Sequence, residues 1–93
     1  MREILFFHGE DCPHCKRMRP IVAKLKEELK CKITSLEVWN NEKNADEMRE
    51  YANIISEAGD GDLGVPAFVD AKHNEAKCGE MTEEELREWL TEK

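Results

Sequence analysis

Apolar positions along the chain fall into runs of different period, and each period predicts an element. Ile4-Leu5-Phe6-Phe7, within a segment from Arg2 to His8 that Gly9 bounds, is a continuous run suited to a strand buried on both faces. Met18, Ile21, Val22, Leu25 and Leu29 then recur at spacings of three and four. Lys24, Lys26, Glu27, Glu28 and Lys30 take the opposite side, so this stretch predicts an amphipathic helix. Pro13 stands just inside its start, where a missing N–H costs nothing. Pro20 stands within it and is expected to kink it, at about 3 kcal/mol unless packing favours the bend.

From Ile33 to Trp39 the alternation of Ile33, Ser35, Glu37 and Trp39 against Thr34, Leu36 and Val38 predicts a second strand, ended by Asn40-Asn41. Ala45, Met48, Ala52 and Ile55, with Tyr51 beside them, predict one helix from Lys43 to Glu57. Ala58 to Gly64 is a Gly- and Asp-rich loop. Val65 to Val69 and Asn74 to Cys78 flank the polar Lys72-His73 and predict a hairpin. Thr82 with Glu85 forms a capping box ahead of Leu86, Trp89 and Leu90, which predicts a closing helix. The order is βαβαββα, an α/β class with a four-stranded mixed sheet flanked by three helices. The opening strand, helix and strand imply a parallel pair, and the hairpin adds antiparallel strands. Both tryptophans, Trp39 and Trp89, are expected in the core.

Length adds that the 93 residues form one domain, 1–93, and the 40% hydrophobic content excludes a disordered tail. The net charge of −7 argues against general nucleic-acid or anionic-membrane binding, since both need clustered positive charge. No apolar run approaches the ~18–20 residues of a membrane span, and nothing near Met1 has the pattern of a secretory leader. The expected location is therefore the cytoplasm, where structural disulfides are rare, so the four cysteines point to redox or metal chemistry before staples.

Cys12 and Cys15 form a C-x-x-C pair between a strand and a helix. Such spacing at a helix start brings two sulfurs within bonding reach and is expected to expose the first sulfur beside the unpaired N–H groups of the opening turn. Cys12 is the natural nucleophile, because a helix N-terminus favours an anion by about 0.3–1 kcal/mol when exposed and by up to about 2 when sheltered. Half of a metal site is the competing reading for this pair. A tetrahedral zinc site needs four ligands, and Cys31, Cys78 and the histidines supply no second C-x-x-C. Cys31, His8 and His73 have ordinary readings as packing, strand-end and loop residues. Lys16, Arg17 and Arg19 form a positive patch beside the pair, read equally as a solvated helix face.

Over nearly its whole length the chain resembles the thioredoxin-fold thiol-disulfide oxidoreductases. The resemblance rests on Phe7-His8-Gly9-Glu10-Asp11-Cys12-Pro13-His14-Cys15 with Pro20 beyond it, on Gly64-Val65-Pro66, and on Gly79 followed by Thr82, Leu86, Trp89 and Leu90. It implies that Cys12 attacks a substrate disulfide and that Cys15 resolves the mixed disulfide. It also implies that Val65, with a cis Pro66, holds substrate backbone. No bound cofactor is then needed, since a Cys12–Cys15 disulfide is itself the redox centre. A strand at the very start is as in glutaredoxins, yet Cys78-Gly79-Glu80 departs from their Gly-Gly pair, and the buried aspartate of thioredoxins falls at Phe6. His8 or Glu10 would have to take that proton-transfer role.

The Pro13-His14 dipeptide is similar to that of strongly oxidising periplasmic disulfide oxidases. A protonated His14 would favour the Cys12 thiolate, while Asp11 opposes it. The reduction potential is thus expected between the ~−270 mV of thioredoxin and the ~−120 mV of the periplasmic oxidase. Cys78 falls where the family places apolar surface around the site, and is a candidate third thiol. Expected partners are protein disulfides or dithiols, with a thioredoxin reductase-like enzyme or glutathione as electron donor, no nucleic acid and no membrane, acting as a monomer. The alternatives are a glutathione-dependent glutaredoxin and a metal or iron–sulfur carrier using the same thiolates.

Overall fold

The computed structural model of the protein describes residues 3–59 and 64–91. The expected strand start at Arg2 and loop residues 60–63 lie outside the described residues. The continuous apolar run becomes β1, Glu3–His8, and its side chains enter two separate cores. Ile4 and Phe6 join one, while Leu5 and Phe7 join the other. A run without polar alternation requires this cover on both faces.

α1, Pro13–Leu29, presents Met18, Val22 and Leu25 to the first core and carries Pro20 within its length. It ends at Lys30, which adopts a left-handed backbone with φ 53°. β2, Lys32–Glu37, pairs parallel with β1, setting Ile33 beside Ile4 and Leu36 beside Phe7. β3, Ala67–Asp70, pairs antiparallel with β1, and β4, Glu75–Cys78, pairs antiparallel with β3. The sheet order is β2-β1-β3-β4, a mixed four-stranded sheet with the motif-bearing strand inside. Phe6 and Phe68, opposite each other on β1 and β3, stack at 4.8 Å, a contact worth about 0.5–1.5 kcal/mol beyond its buried area. No helix of the described residues is long and apolar enough to cross a membrane.

Three expectations are corrected. The single helix predicted over Lys43 to Glu57 is two, α2 (Glu42–Glu50) and α3 (Ala52–Ala58), so the described residues form four helices where three were expected. Tyr51 breaks it at φ −106°, ψ 16°, with its N–H bonded back to Met48. The cause is the second core: Met48 and Ile55 both pack against Phe7, Ala67 and Val69. α2 lies against β2 while α3 lies against β3 and β4, a span that the bend at Tyr51 lets the two pieces cover. Periodicity survives the break because both pieces turn the same face to the sheet.

Second, β2 stops at Glu37, short of Trp39, and Trp39 is 54% exposed, outside the core in which it was expected. Glu37 turns the chain out of the sheet, its carboxylate accepting the backbone N–H groups of Glu10, Trp39 and Asn40 at 2.8, 3.0 and 2.8 Å. Third, β3 begins at Ala67, because Val65-Pro66 is a cis peptide and Pro66 has no N–H for a ladder. Trp89 does lie in the first core, with Leu86 and Leu90. These three belong to α4, Glu83–Thr91, and the capping box that opens it is complete. Glu85 donates its N–H to Thr82 Oγ1, and Thr82 donates its N–H to Glu85 Oε1, each at 3.1 Å. Thr82→Ala is expected to cost about 1 kcal/mol. A lowered urea midpoint at unchanged slope would register this, and an unmoved midpoint would show that the cap contributes nothing.

Candidate active site

The end of β1 and the start of α1 are joined by the turn Gly9 to Cys12, closed by a bond from the Cys12 N–H to the Gly9 carbonyl at 3.2 Å. The turn delivers Cys12 to the N-cap of α1 with extended backbone, φ −76° and ψ 117°, and Pro13 follows in the first helical turn. The Cys12 sulfur does the work usually given to a serine or aspartate oxygen, accepting the Cys15 N–H at 3.4 Å. Cys12 Sγ also lies 3.9 Å from the Val65 carbonyl oxygen, across from the cis Val65-Pro66 bond. The resemblance therefore brings Cys12, Cys15, Pro13, Val65 and Pro66 to one place.

Cys12, expected to expose its sulfur, is instead buried at 4% exposure under the Val65 carbonyl, and Cys15 is fully buried, with its sulfur accepting the Gly9 N–H at 3.4 Å. Burial pushes the Cys15 thiol up to about 12, and the adjoining Cys12 sulfur adds to the rise. Cys15 therefore keeps its proton at neutral pH, and the two sulfurs are chemically distinct.

His14 is held from across the fold. Its Nδ1 lies 2.7 Å from Glu80 Oε1 and 3.1 Å from Arg17 Nη2. Arg17 Nε donates to both oxygens of the same carboxylate at 3.0 and 3.1 Å. These bonds hold the Glu80 carboxyl below the usual carboxylate range, His14 contributing most and Arg17 next. Glu80 thus contacts both the expected tuning residue, His14, and Arg17 of the expected basic patch. Arg19, also of that patch, lies with Nη2 3.2 Å from His8 Nδ1. Desolvation first and Arg19 second lower the affinity of His8 for a proton, leaving it neutral at pH 7. Phe6 is buried where thioredoxins place their aspartate, and Glu10 is exposed, with Oε2 accepting from Asn40 Nδ2 at 2.7 Å.

Cys78 ends β4 with Sγ 3.6 Å from the Gly64 carbonyl oxygen, and the Gly79 N–H bonds the Pro66 carbonyl at 2.8 Å. The candidate third thiol and Cys12 therefore sit on carbonyls of successive residues in the 64–66 loop. A groove of about 440 Å³ is lined by Cys78, Glu80, Met81 and Trp89, but Cys12 and Cys15 are not among its lining residues. Cys31 is buried in the first core, and burial raises its thiol. His73 caps the β3–β4 turn, its ring and its backbone N–H both bonded to the buried Asp70. Among the described residues no three or more His, Cys, Asp or Glu side chains cluster in a way that could hold a metal ion. Glu80, Glu37 and Trp39 had no signal in motif spacing, since their partners lie 66 and 27 residues away for the two carboxylates.

No protein-family profile matches the chain, and no curated protein matches it either. Among solved structures it is similar to a glutaredoxin from Archaeoglobus fulgidus, with a TM-score of 0.62 and 22% identity. The match covers 98% of this chain and 88% of that one. The likeness establishes a thioredoxin-like, glutaredoxin-like α/β fold, as the motifs implied, with a C-x-x-C pair at the head of its first helix.

The buried Cys15 thiol has a signed effect on stability. Its folded value lies above the ordinary 9.0, so the folded state holds the proton more tightly and gains stability that is intact below about pH 9 and lost as pH rises toward about 12. In the reduced protein, chemical unfolding across that range is expected to show a steeper loss of stability for the wild type than for Cys15→Ser. Identical pH slopes would contradict the assignment.

Proposed function

We propose that the protein is a thiol-disulfide oxidoreductase acting on protein disulfides through a Cys12/Cys15 cycle in a reducing, cytoplasmic setting. The observation that carries this reading is the asymmetric pair at the head of α1, in which Cys12 caps the helix facing the Val65 carbonyl and Cys15 is a buried, protonated thiol beneath it. As a thiolate, Cys12 attacks one sulfur of a substrate disulfide, forms a mixed disulfide and releases the other substrate sulfur, which takes up a proton. Cys15 then loses its proton, attacks Cys12 Sγ and expels the second substrate thiolate. The Cys12–Cys15 bond closes, and two electrons have passed to the substrate.

The proton of Cys15 needs an acceptor, and His8 and Glu10 are the two candidates, His8 Nδ1 standing 3.2 Å from Arg19 Nη2 and Glu10 Oε2 2.7 Å from Asn40 Nδ2. His8 is neutral, adjoins Gly9, whose N–H meets Cys15 Sγ, and shares Arg19 as an electrostatic neighbour with Cys15. Glu10 is exposed and engaged by Asn40. A thioredoxin reductase-like enzyme or glutathione restores the dithiol. Glu80 stands 2.7 Å from His14 and would offset the charge of a protonated ring, which supports a potential short of the ~−120 mV of the strongest oxidase.

Reduction of a peptide disulfide with dithiothreitol as donor tests the cycle. Cys12→Ser is expected to drop the rate to the uncatalysed level, and Cys15→Ser to accumulate a mixed disulfide at Cys12, seen by mass spectrometry. Full turnover by Cys12→Ser would eliminate the mechanism. Equilibration with glutathione buffers is expected to place the couple between ~−270 and ~−120 mV, and a value at or below the lower figure would remove the role given to His14.

A further inference from the structure

Trp39 is the large hydrophobic side chain left exposed among the described residues, with 54% of its surface in solvent. A scattered exposed hydrophobic needs no explanation by itself. The seat of this one is specific. A Cβ on Gly9 would fall inside the indole, against Cδ2 and Cε2, so the ring rests directly on the Gly9 backbone and only glycine lets it lie there. That same backbone contacts both cysteines, its N–H on Cys15 Sγ and its carbonyl on the Cys12 N–H. The indole thus occupies the rim of the reacting pair.

Its surroundings are acidic and anchored. Glu37 accepts the Trp39, Asn40 and Glu10 N–H groups, and Asn40 reaches Glu10 Oε2 at 2.7 Å, so the β2–α2 connection and the Gly9 to Cys12 turn are tied together. Glu10 and Asp11 are exposed on that turn, and Asp11 has no hydrogen bond or ion pair among the described residues. Of the nearby cations, Arg17 is held by Glu80 and Arg19 contacts His8, leaving Lys16 one turn into α1. An exposed indole seated on the turn that carries Glu10 and Asp11 offers the chemistry that recognises a side-chain cation, which gains from the ring quadrupole and from charge attraction together. The net charge of −7 steers such a partner toward the molecule.

We infer that Trp39, Glu10 and Asp11 form a docking surface for protein substrates that carry a lysine or arginine close to the disulfide to be exchanged. The inference rests on the oxidoreductase reading and adds a substrate class to it. The surface selects partners and does not take part in the sulfur chemistry.

Two peptide disulfides that differ only by arginine or glutamate next to the cysteine test the inference. The wild type is expected to favour the arginine peptide by about tenfold in kcat/KM at low salt, with the preference shrinking as ionic strength rises. Trp39→Leu, which keeps an apolar cover on Gly9, and Asp11→Asn should each reduce the ratio by about threefold. The ratio is the readout because any change in the reactivity of the thiols affects both peptides alike. Equal rates for the two peptides in the wild type, or a ratio unmoved in both variants, would overturn the docking surface while leaving the oxidoreductase reading standing. Failure to exchange either peptide would overturn both.

Discussion

A sulfur atom serving as a helix cap is the constraint around which this molecule is arranged. Cys12 accepts the Cys15 N–H in place of an oxygen, and its own N–H is taken by the Gly9 carbonyl. The cap therefore holds the helix, the turn and the redox pair in one hydrogen-bonded unit. Because α1 points its first turn at this sulfur, the field of the helix acts where a thiolate would form. Because Cys15 lies one step deeper and fully buried, its thiol resists ionisation. On the proposed reading, these two different settings of identical side chains are what would divide the labour between them.

The rest of the fold keeps that unit in place and shapes what reaches it. β1 lies between β2 and β3 and is packed from both sides, so the turn after it leaves from the interior of the sheet. The start of β3 brings the 64–66 loop over Cys12, and Cys78 and Gly79 at the end of β4 brace that loop. The two flanks differ in charge. On the β4 side His14, Arg17 and Glu80 form a closed ion cluster; on the β2 side Trp39 stands beside Glu10 and Asp11. Under the proposed function, a substrate approaching Cys12 would meet an ion-paired Arg17–Glu80 flank and an acidic, aromatic one.

Much of the framework was legible in order and period. The unbroken apolar run of β1, the spacing of Met18, Val22 and Leu25, the hairpin and the capping box at Thr82 are local patterns, each set by which residues must be covered or satisfied nearby. The cysteine pair was equally legible, since its spacing and its place at a helix start belong to one short segment. The break at Tyr51 was not, because the apolar face of the two helices continues through it and only the breadth of sheet to be covered demands a bend. Trp39 misled for a related reason: alternation carried it into the strand, but the Glu37 carboxylate, bonded to three backbone N–H groups, turns the chain outward first.

Sequence alone determined that a dithiol would sit at the start of a helix in an α/β sheet, because strand, turn, cap and helix are consecutive and their physics is short in range. Tertiary structure decided what surrounds that dithiol. It was folding that set Glu80 against His14 across 66 residues, laid an exposed indole on Gly9 and brought Cys78 to the loop over Cys12. Such contacts depend on where separate elements are packed in space, and no period or spacing along the chain encodes the distance between them.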